Sequence, residues 1–319
     1  MKADPVVSLS REFIRKGSKS FALAARLLPG AVQDDAVMLY AWCRHCDDVI
    51  DGQDLGFAAK KSAAAPAAEL LAELREKTRE ALAGKASEPV FIALARVAQK
   101  HRIPERHPME LIRGFEMDVE GRTYRTLDDT LEYCYHVAGV VGVMMAMIMG
   151  VRDSATLNRA SDLGIAFQLT NIARDVVADA EAGRVYLPQQ WLRESGVNGE
   201  DVADPGCRRK VFQVAARLLR EADAYYLSAL HGIRRLPFRA AIGIGAARRI
   251  YRDIGIMLLS GGPDAWNGRV MAGRRRKAAA ALLGAAGAIR AQTLLRLKAE
   301  PPRAGLWTMP APAVWRPPL

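Results

Sequence analysis

The chain has 319 residues, half of them hydrophobic and a quarter charged, with 46 Lys and Arg against 35 Asp and Glu for a formal charge of +11. That much apolar material excludes a disordered polyelectrolyte, and 4 Cys in this length exclude a small disulfide-stapled scaffold. The charge is uneven: residues 1–207 hold 25 basic and 30 acidic side chains (net −5), and residues 208–319 hold 21 and 5 (net +16).

Taken in chain order, Pro, Gly and polar breakers delimit helices predicted over 6–28, 31–50, 67–83, 89–101, 108–121, 127–149, 155–180, 208–231, 238–260 and 277–298. Apolar residues recur three and four apart in most of them, and Ala, Leu, Arg and Glu dominate. No alternating β-branched run flanked by hairpin turns occurs, so the predicted class is all-α. The first residues, Met1 to Glu12, are polar and lack the apolar stretch of a secretory signal. Residues 53–66 read as a surface loop. Residues 1–300 read as one helical domain, and 301–319, with six of the 16 prolines, as an extended tail. From Tyr133 to Val151 the chain carries no formal charge for 19 residues, long enough to cross a bilayer. His136, three glycines and the soluble character of the flanking sequence make it a buried helix instead.

Two stretches carry acids at helical spacing. In the first, Tyr40 to Asp51, Asp47 and Asp51 stand at i,i+4 with Asp48 between them. Like charges so placed repel and cost a helix a few tenths of a kcal/mol. The alternatives are a solvated acidic helix end and a divalent cation; Mg²⁺ prefers oxygen ligands and is commonly held by one or two carboxylates together with substrate phosphates. In the second, Asp175 and Asp179 repeat the pair, and Gln168 and Asn171 lie on the same stripe of an otherwise apolar helix. A polar stripe there is costly to bury without partners, and a metal-lined cavity supplies them. Arg44 and Arg174 sit beside the two pairs, either as ordinary ion pairs or as ligands of a diphosphate bridged by the metals. Mg²⁺ and arginines around two acidic faces suit diphosphate departure. Tyr133, Val137 and Val141 form an apolar stripe with Gly142 beside it and a Met-rich continuation; by spacing alone such a stripe is core. Cys43 and Cys46 have the spacing of a redox pair but lack the βαβ context that chemistry uses.

In order and separation, these segments resemble the squalene/phytoene synthase family, and within it the bacterial phytoene-forming branch. The likeness runs from Gly17-Ser-Lys-Ser-Phe21 to Trp266-Asn-Gly-Arg269. It is carried by Tyr40–Asp51, Tyr133–Gly142, Phe167–Asp175 and Gly183-Arg-Val-Tyr-Leu-Pro188. The resemblance implies a class I isoprenoid synthase fold, with helices around a central cavity. It implies head-to-head condensation of two geranylgeranyl diphosphates through prephytoene diphosphate to phytoene, with Mg²⁺ (or Mn²⁺) and without NADPH. A C30 homologue acting on farnesyl diphosphate is the alternative. By the same resemblance, Asp47, Asp51, Asp175 and Asp179 are expected to bind the metal, and Arg44, Gln168, Asn171 and Arg174 to be active-site polar groups. Ser20, Phe21, Tyr133, Val137, Val141, Gly142, Tyr251 and Arg269 are expected to contact substrate. One departure stands out: the position before Asp179, often acidic in relatives, is Ala178.

The basic last third contains no nucleic-acid motif and no interleaving of aromatic with basic residues, so no nucleic-acid partner is expected. Diphosphate and an anionic membrane surface are the polyanions left, and a cytoplasmic protein peripheral to the inner face of the membrane is the expected location.

Overall fold

The computed structural model describes residues 4–17, 25–54, 57–58, 66–268, 273–294 and 300–309. Its helices are α1 (Pro5–Gly17), α2 (Gly30–Asp51), α3 (Ala67–Leu82), α4 (Pro89–His101), α5 (Arg106–Val119) and α6 (Leu127–Cys134), then α7 (Val140–Ile148) and α8 (Ser154–Glu181). The short α9 (Gln189–Glu194) precedes α10 (Arg208–Ile233), α11 (Phe238–Gly261) and α12 (Arg274–Thr293). Among the described residues the only sheet is a two-stranded antiparallel ladder pairing β1 (Gln53–Asp54) with β2 (Phe57–Ala58), inside the stretch predicted as a loop. The all-α class holds.

The helix starts follow local chemistry. Pro29, Pro66, Pro188 and Pro237 occupy N-cap positions. At α6, Thr126 and Asp129 form a reciprocal capping box, so this acid satisfies a helix start. The Asp153 side chain caps α8 by accepting from the Thr156 amide. At 28 residues, α8 is about 42 Å long at 1.5 Å per residue. It is the spine of the molecule, packing along α10 and against α7, α11 and α6.

The helix predicted over 127–149 is continuous but not uniform. A turn of π-helix, Tyr135–Gly139, separates α6 from α7. The stretch Leu127–Ile148 is apolar and long enough to cross a membrane, yet 72% of its most apolar window is buried against the rest of the fold. Glycines set that packing: a Cβ on Gly142 would stand 2.3 Å from the Ala160 carbonyl oxygen, and one on Gly164 2.2 Å from the Ala138 carbonyl oxygen. The backbones of α7 and α8 therefore touch, and side chains on either side of the contact are splayed around a cavity.

The Pro-rich end behaves differently from a free tail. Residues 300–309 are irregular, as predicted, but dock onto the helices: Leu306, Trp307 and Met309 pack against the core, and the Tyr225 hydroxyl accepts from the Trp307 amide at 3.0 Å.

Candidate active site

A cavity of about 370 Å³ opens between α2, α5, the α6–α7 segment, α8, α10 and α11. Arg44, Asp47, Tyr133, Val137, Val141, Gly142, Gln168, Asn171 and Tyr251, all expected at the site, line it. The stripe of Tyr133, Val137 and Val141 is thus cavity wall. The π turn helps: in an α-helix, residues four apart drift by about 40° per step, and the wider i→i+5 turn reduces that drift. Asp51, Arg174, Asp175 and Asp179 are not part of the lining; Asp51 and Asp179 are in the last turns of α2 and α8, and Arg174 and Asp175 lie about two turns before the end of α8. Ser20, Phe21 and Arg269 lie outside the described residues.

The acids sit where helix geometry disfavours them. Asp51 ends α2 and Asp47 stands one turn before it; the helix stops at Gly52 in the left-handed conformation (φ 61°). Asp179 is in the last turn of α8, and neither helix has a basic residue there. Carbonyl ends of helices carry partial negative charge, so these carboxylates add like to like. A third helix C-terminus joins them. Asp118, near the end of α5, lines the cavity and is electrostatically coupled to Asp47, Asp51 and Asp179.

The titration of the acids reflects this crowding. Asp47 is pushed up to about 7, first by desolvation and then by Asp51, Asp48 and Asp118, against the pull of Arg44. Its side chain nevertheless remains 41% exposed. Asp179 is also pushed up to about 7, by burial and by Asp175, against Arg184 and Arg174. Asp118 rises to about 6 on burial, although the Tyr133 and Tyr186 hydroxyls donate to it at 3.0 and 2.9 Å. The two rings stack at 4.7 Å.

Arginines offset only part of the charge. Arg44 pairs with Asp47 at 2.8 Å and with Asp48 at 2.7 Å. Arg174 binds Asp175 through two nitrogens, and Arg184 reaches Asp51 at 2.7 Å across 133 residues of sequence. Tyr251 stacks on Phe167 at 4.1 Å. Asp118, Arg184 and Tyr186 are the residues that sequence reasoning left without a role. Gly183–Pro188 carried part of the family resemblance, which was the available signal for Arg184 and Tyr186.

Among the described residues, no three Asp, Glu, His or Cys side chains are close enough to chelate an ion unaided. The donor set suits a hard cation that takes one or two carboxylates and completes its shell with water and phosphate oxygens. The buried Asn171 Oδ1, which has no protein partner, is a further oxygen facing that space. The Cys43 and Cys46 thiols are both free, and burial pushes each up, away from the thiolate a redox role needs.

A helical cavity with an acidic mouth and an apolar body suits a greasy ligand whose anionic head is bridged to the acids by cations. The family model for squalene/phytoene synthase matches residues 14–277, and the chain belongs to that family. It is 51% identical over 306 residues to a 15-cis-phytoene synthase of Paracoccus sp. (strain N81106 / MBIC 01143), covering 96% of this chain and 98% of that one. It is 49% identical over 301 residues to the 15-cis-phytoene synthase of Pantoea ananas, covering 94% and 96%. Among solved structures, a dehydrosqualene synthase in complex with ligand superposes with a TM-score of 0.77 at 25% identity, over 88% of this chain and 95% of the other.

Proposed function

We propose that this chain is a phytoene synthase, a prenyltransferase that joins two geranylgeranyl diphosphates head to head. The observation that carries the reading is the convergence of three acid-bearing helix C-termini, from α2, α5 and α8, on the mouth of an apolar cavity. The relatives named 15-cis-phytoene synthase, near half identical over most of the chain, support the product.

Asp47 and Asp51 on α2 and Asp175 and Asp179 on α8 would hold Mg²⁺ (or Mn²⁺). A cation held there would supply positive charge against the charge that develops on a departing diphosphate. Arg44 and Arg174 pair with the acids and would offer guanidinium donors to the diphosphate. Val137, Val141, Leu163 and Phe167 keep water from the allylic cation left when the first C–O bond breaks. The double bond of the second molecule captures that cation, and loss of a proton closes the cyclopropane of prephytoene diphosphate. Departure of the second diphosphate, rearrangement and loss of a second proton give phytoene, with two diphosphates released and no reductant consumed.

Purified protein incubated with geranylgeranyl diphosphate and Mg²⁺, without NADPH, is expected to yield phytoene in the extracted lipids and to stop on chelation. Absence of both phytoene and prephytoene products overturns the reading. A parallel incubation with farnesyl diphosphate decides whether the C30 alternative is the true activity.

A second reading concerns location, and one surface favours it. On α12, Arg275, Arg276, Leu282, Leu283, Ile289 and Arg290 recur seven apart and are all exposed, Leu282 by 73%. A stripe mixing leucine and arginine suits the headgroup boundary of an anionic bilayer. We propose that the protein works in the cytoplasm, peripheral to the inner face of the membrane. Co-sedimentation with anionic but not zwitterionic vesicles is expected; equal binding to both, or to neither, removes the reading.

A further inference from the structure

The cavity has a second end, and its construction is unrelated to the first. Along α8 the lining residues run from Asn171 to Thr156, about 22 Å at 1.5 Å per residue. At the far end stand Thr156, Arg159 and Ala160 of α8, with Gly232, Ile233 and Leu236 at and beyond the end of α10. Arg159 is an unusual residue for the bottom of an apolar cavity: it is 5% exposed. Its position is fixed at close quarters, since a Cβ on Gly232 would come within 2.8 Å of the Arg159 Cβ.

What holds Arg159 is the segment after α12. Its guanidinium donates to the Pro301 carbonyl at 2.6 Å and to Ser228 Oγ at 3.0 Å, and its Nε stands 3.5 Å from Glu300. One turn along α8, Asp162 is 0% exposed; it accepts from Arg303 at 2.8 and 2.5 Å and from Ser228 Oγ at 2.5 Å. Glu300 also binds Arg234 at 2.7 Å and Arg235 at 2.9 Å, the two residues between Ile233 and Leu236 of the lining. Trp307 closes the outer side against Tyr135, with ring centres 5.5 Å apart. No residue of 300–309 lines the cavity itself. The segment buttresses the floor from outside.

We propose that Arg159, clamped by the strap Glu300–Met309, is the floor of the prenyl cavity and sets the longest chain it admits. The proposal rests on the prenyl diphosphate reading of the acidic mouth. Scale supports it: a prenyl head placed at Asn171 has about 18 Å before Arg159, and about 22 Å before Thr156 if Arg159 gives way. That difference is close to one isoprene repeat, four chain carbons or about 5 Å at C–C distances near 1.5 Å. A floor one α-helical turn higher would favour a C15 chain over a C20 chain, and a floor that yields would admit C25.

The test uses the full chain and C15, C20 and C25 prenyl diphosphates, each assayed alone for kcat/KM. Asp162→Asn/Arg303→Gln replaces the strap's buried ion pair by a neutral hydrogen-bonded one, leaving no stranded charge. It is expected to raise the C25-to-C20 ratio at least tenfold, chiefly through KM. Ala160→Met raises the floor and is expected to raise the C15-to-C20 ratio at least tenfold. Should the double variant fail to fold by far-UV circular dichroism, Glu300→Gln carries the same expectation at smaller size. If the strap variants keep the wild-type ratio within twofold while Ala160→Met shifts it, the strap does not set the floor and the proposal falls. If Ala160→Met shifts nothing either, the far end does not receive the chain and the proposal falls as well. A wild type that turns over none of the three lengths refutes instead the reading of the mouth, so the two failures are distinguishable.

Discussion

The two ends of the cavity use the same residue types to opposite effect. At the mouth, Asp47, Asp118 and Asp179 lie toward helix C-termini, Asp118 adds its charge to that of each of the other two, and all three are pushed up to between about 6 and about 7. At the floor, Arg234 and Arg235 hold Glu300 down at about 2, and Asp162, fully buried, is met by a bidentate Arg303 and a serine hydroxyl. At the floor each acid is paired with arginine from the chain itself. The mouth keeps a deficit of positive charge. A protein that tolerates that deficit at one end while resolving it at the other has separated a place for binding cations and anions from a place for holding shape.

The largest effect separating the two ends is on catalysis. Asp175→Asn or Asp47→Asn at the mouth is expected to lower kcat by 100-fold or more, in line with about 10²–10³ for removing one preorganised electrostatic group, with the far-UV spectrum unchanged. Near-full Mg²⁺-dependent turnover in either variant would show that these acids do not hold the metal. Next in size is a stability effect at the other end. Arg303→Ala strands the buried Asp162 charge, and breaking such a pair costs about 3–5 kcal/mol. Urea unfolding should report a loss of this order for Arg303→Ala and little or none for Asp47→Asn in chelator. Equal losses at the two sites would erase the distinction.

How much of this was legible in the sequence depends on the range of each interaction. Asp47 with Asp51 and Asp175 with Asp179 are pairs within one helix turn, so spacing alone placed each pair on one face. Asp118, Arg184 and Tyr186 were silent because their partners are tertiary: Tyr186 meets Asp118 across 68 residues and Arg184 meets Asp51 across 133. The stripe of Tyr133, Val137 and Val141 was visible, but its orientation into a cavity depends on a π turn and on the Gly142 and Gly164 approach, which periodicity does not encode. Proline content correctly marked the segment after residue 300 as non-helical. It said nothing of docking, because the docking is carried by Arg303 and Asp162, 141 residues apart. The +16 of the last third is also partly offset within the fold by acids of the front part, where Arg217 pairs with Glu194 and Arg303 with Asp162.

The smallest expected effect is the most direct reading of the contrast in charge. A carboxylate whose folded pKa is raised makes the native state bind more protons than the unfolded chain between its two pKa values, so stability rises as pH falls through that window. For Asp47 and Asp179, raised to about 7, and Asp118, raised to about 6, the window runs from about 7 down to the ordinary carboxylate range near 4. Glu300 has the opposite sign: its contribution is complete above the ordinary range and is lost as pH falls toward about 2. Metal-free protein should therefore gain stability on acidification from about pH 8 to about pH 5 and lose it below about pH 4. Mg²⁺ competes with protons for the mouth acids, so the rise in Tm that it produces should be small near pH 5 and grow toward pH 8. Screening at the partly exposed Asp47 keeps the change modest, and each 1 kcal/mol moves Tm by only about 1.5 °C in a chain of this size. Thermal melts in chelator and in Mg²⁺ across that range measure it. Asp47→Asn/Asp179→Asn should flatten the dependence while Glu300→Gln leaves it in place above pH 5. A Mg²⁺ shift independent of pH in the wild type would mean that the ion is held by groups other than the raised acids of the mouth.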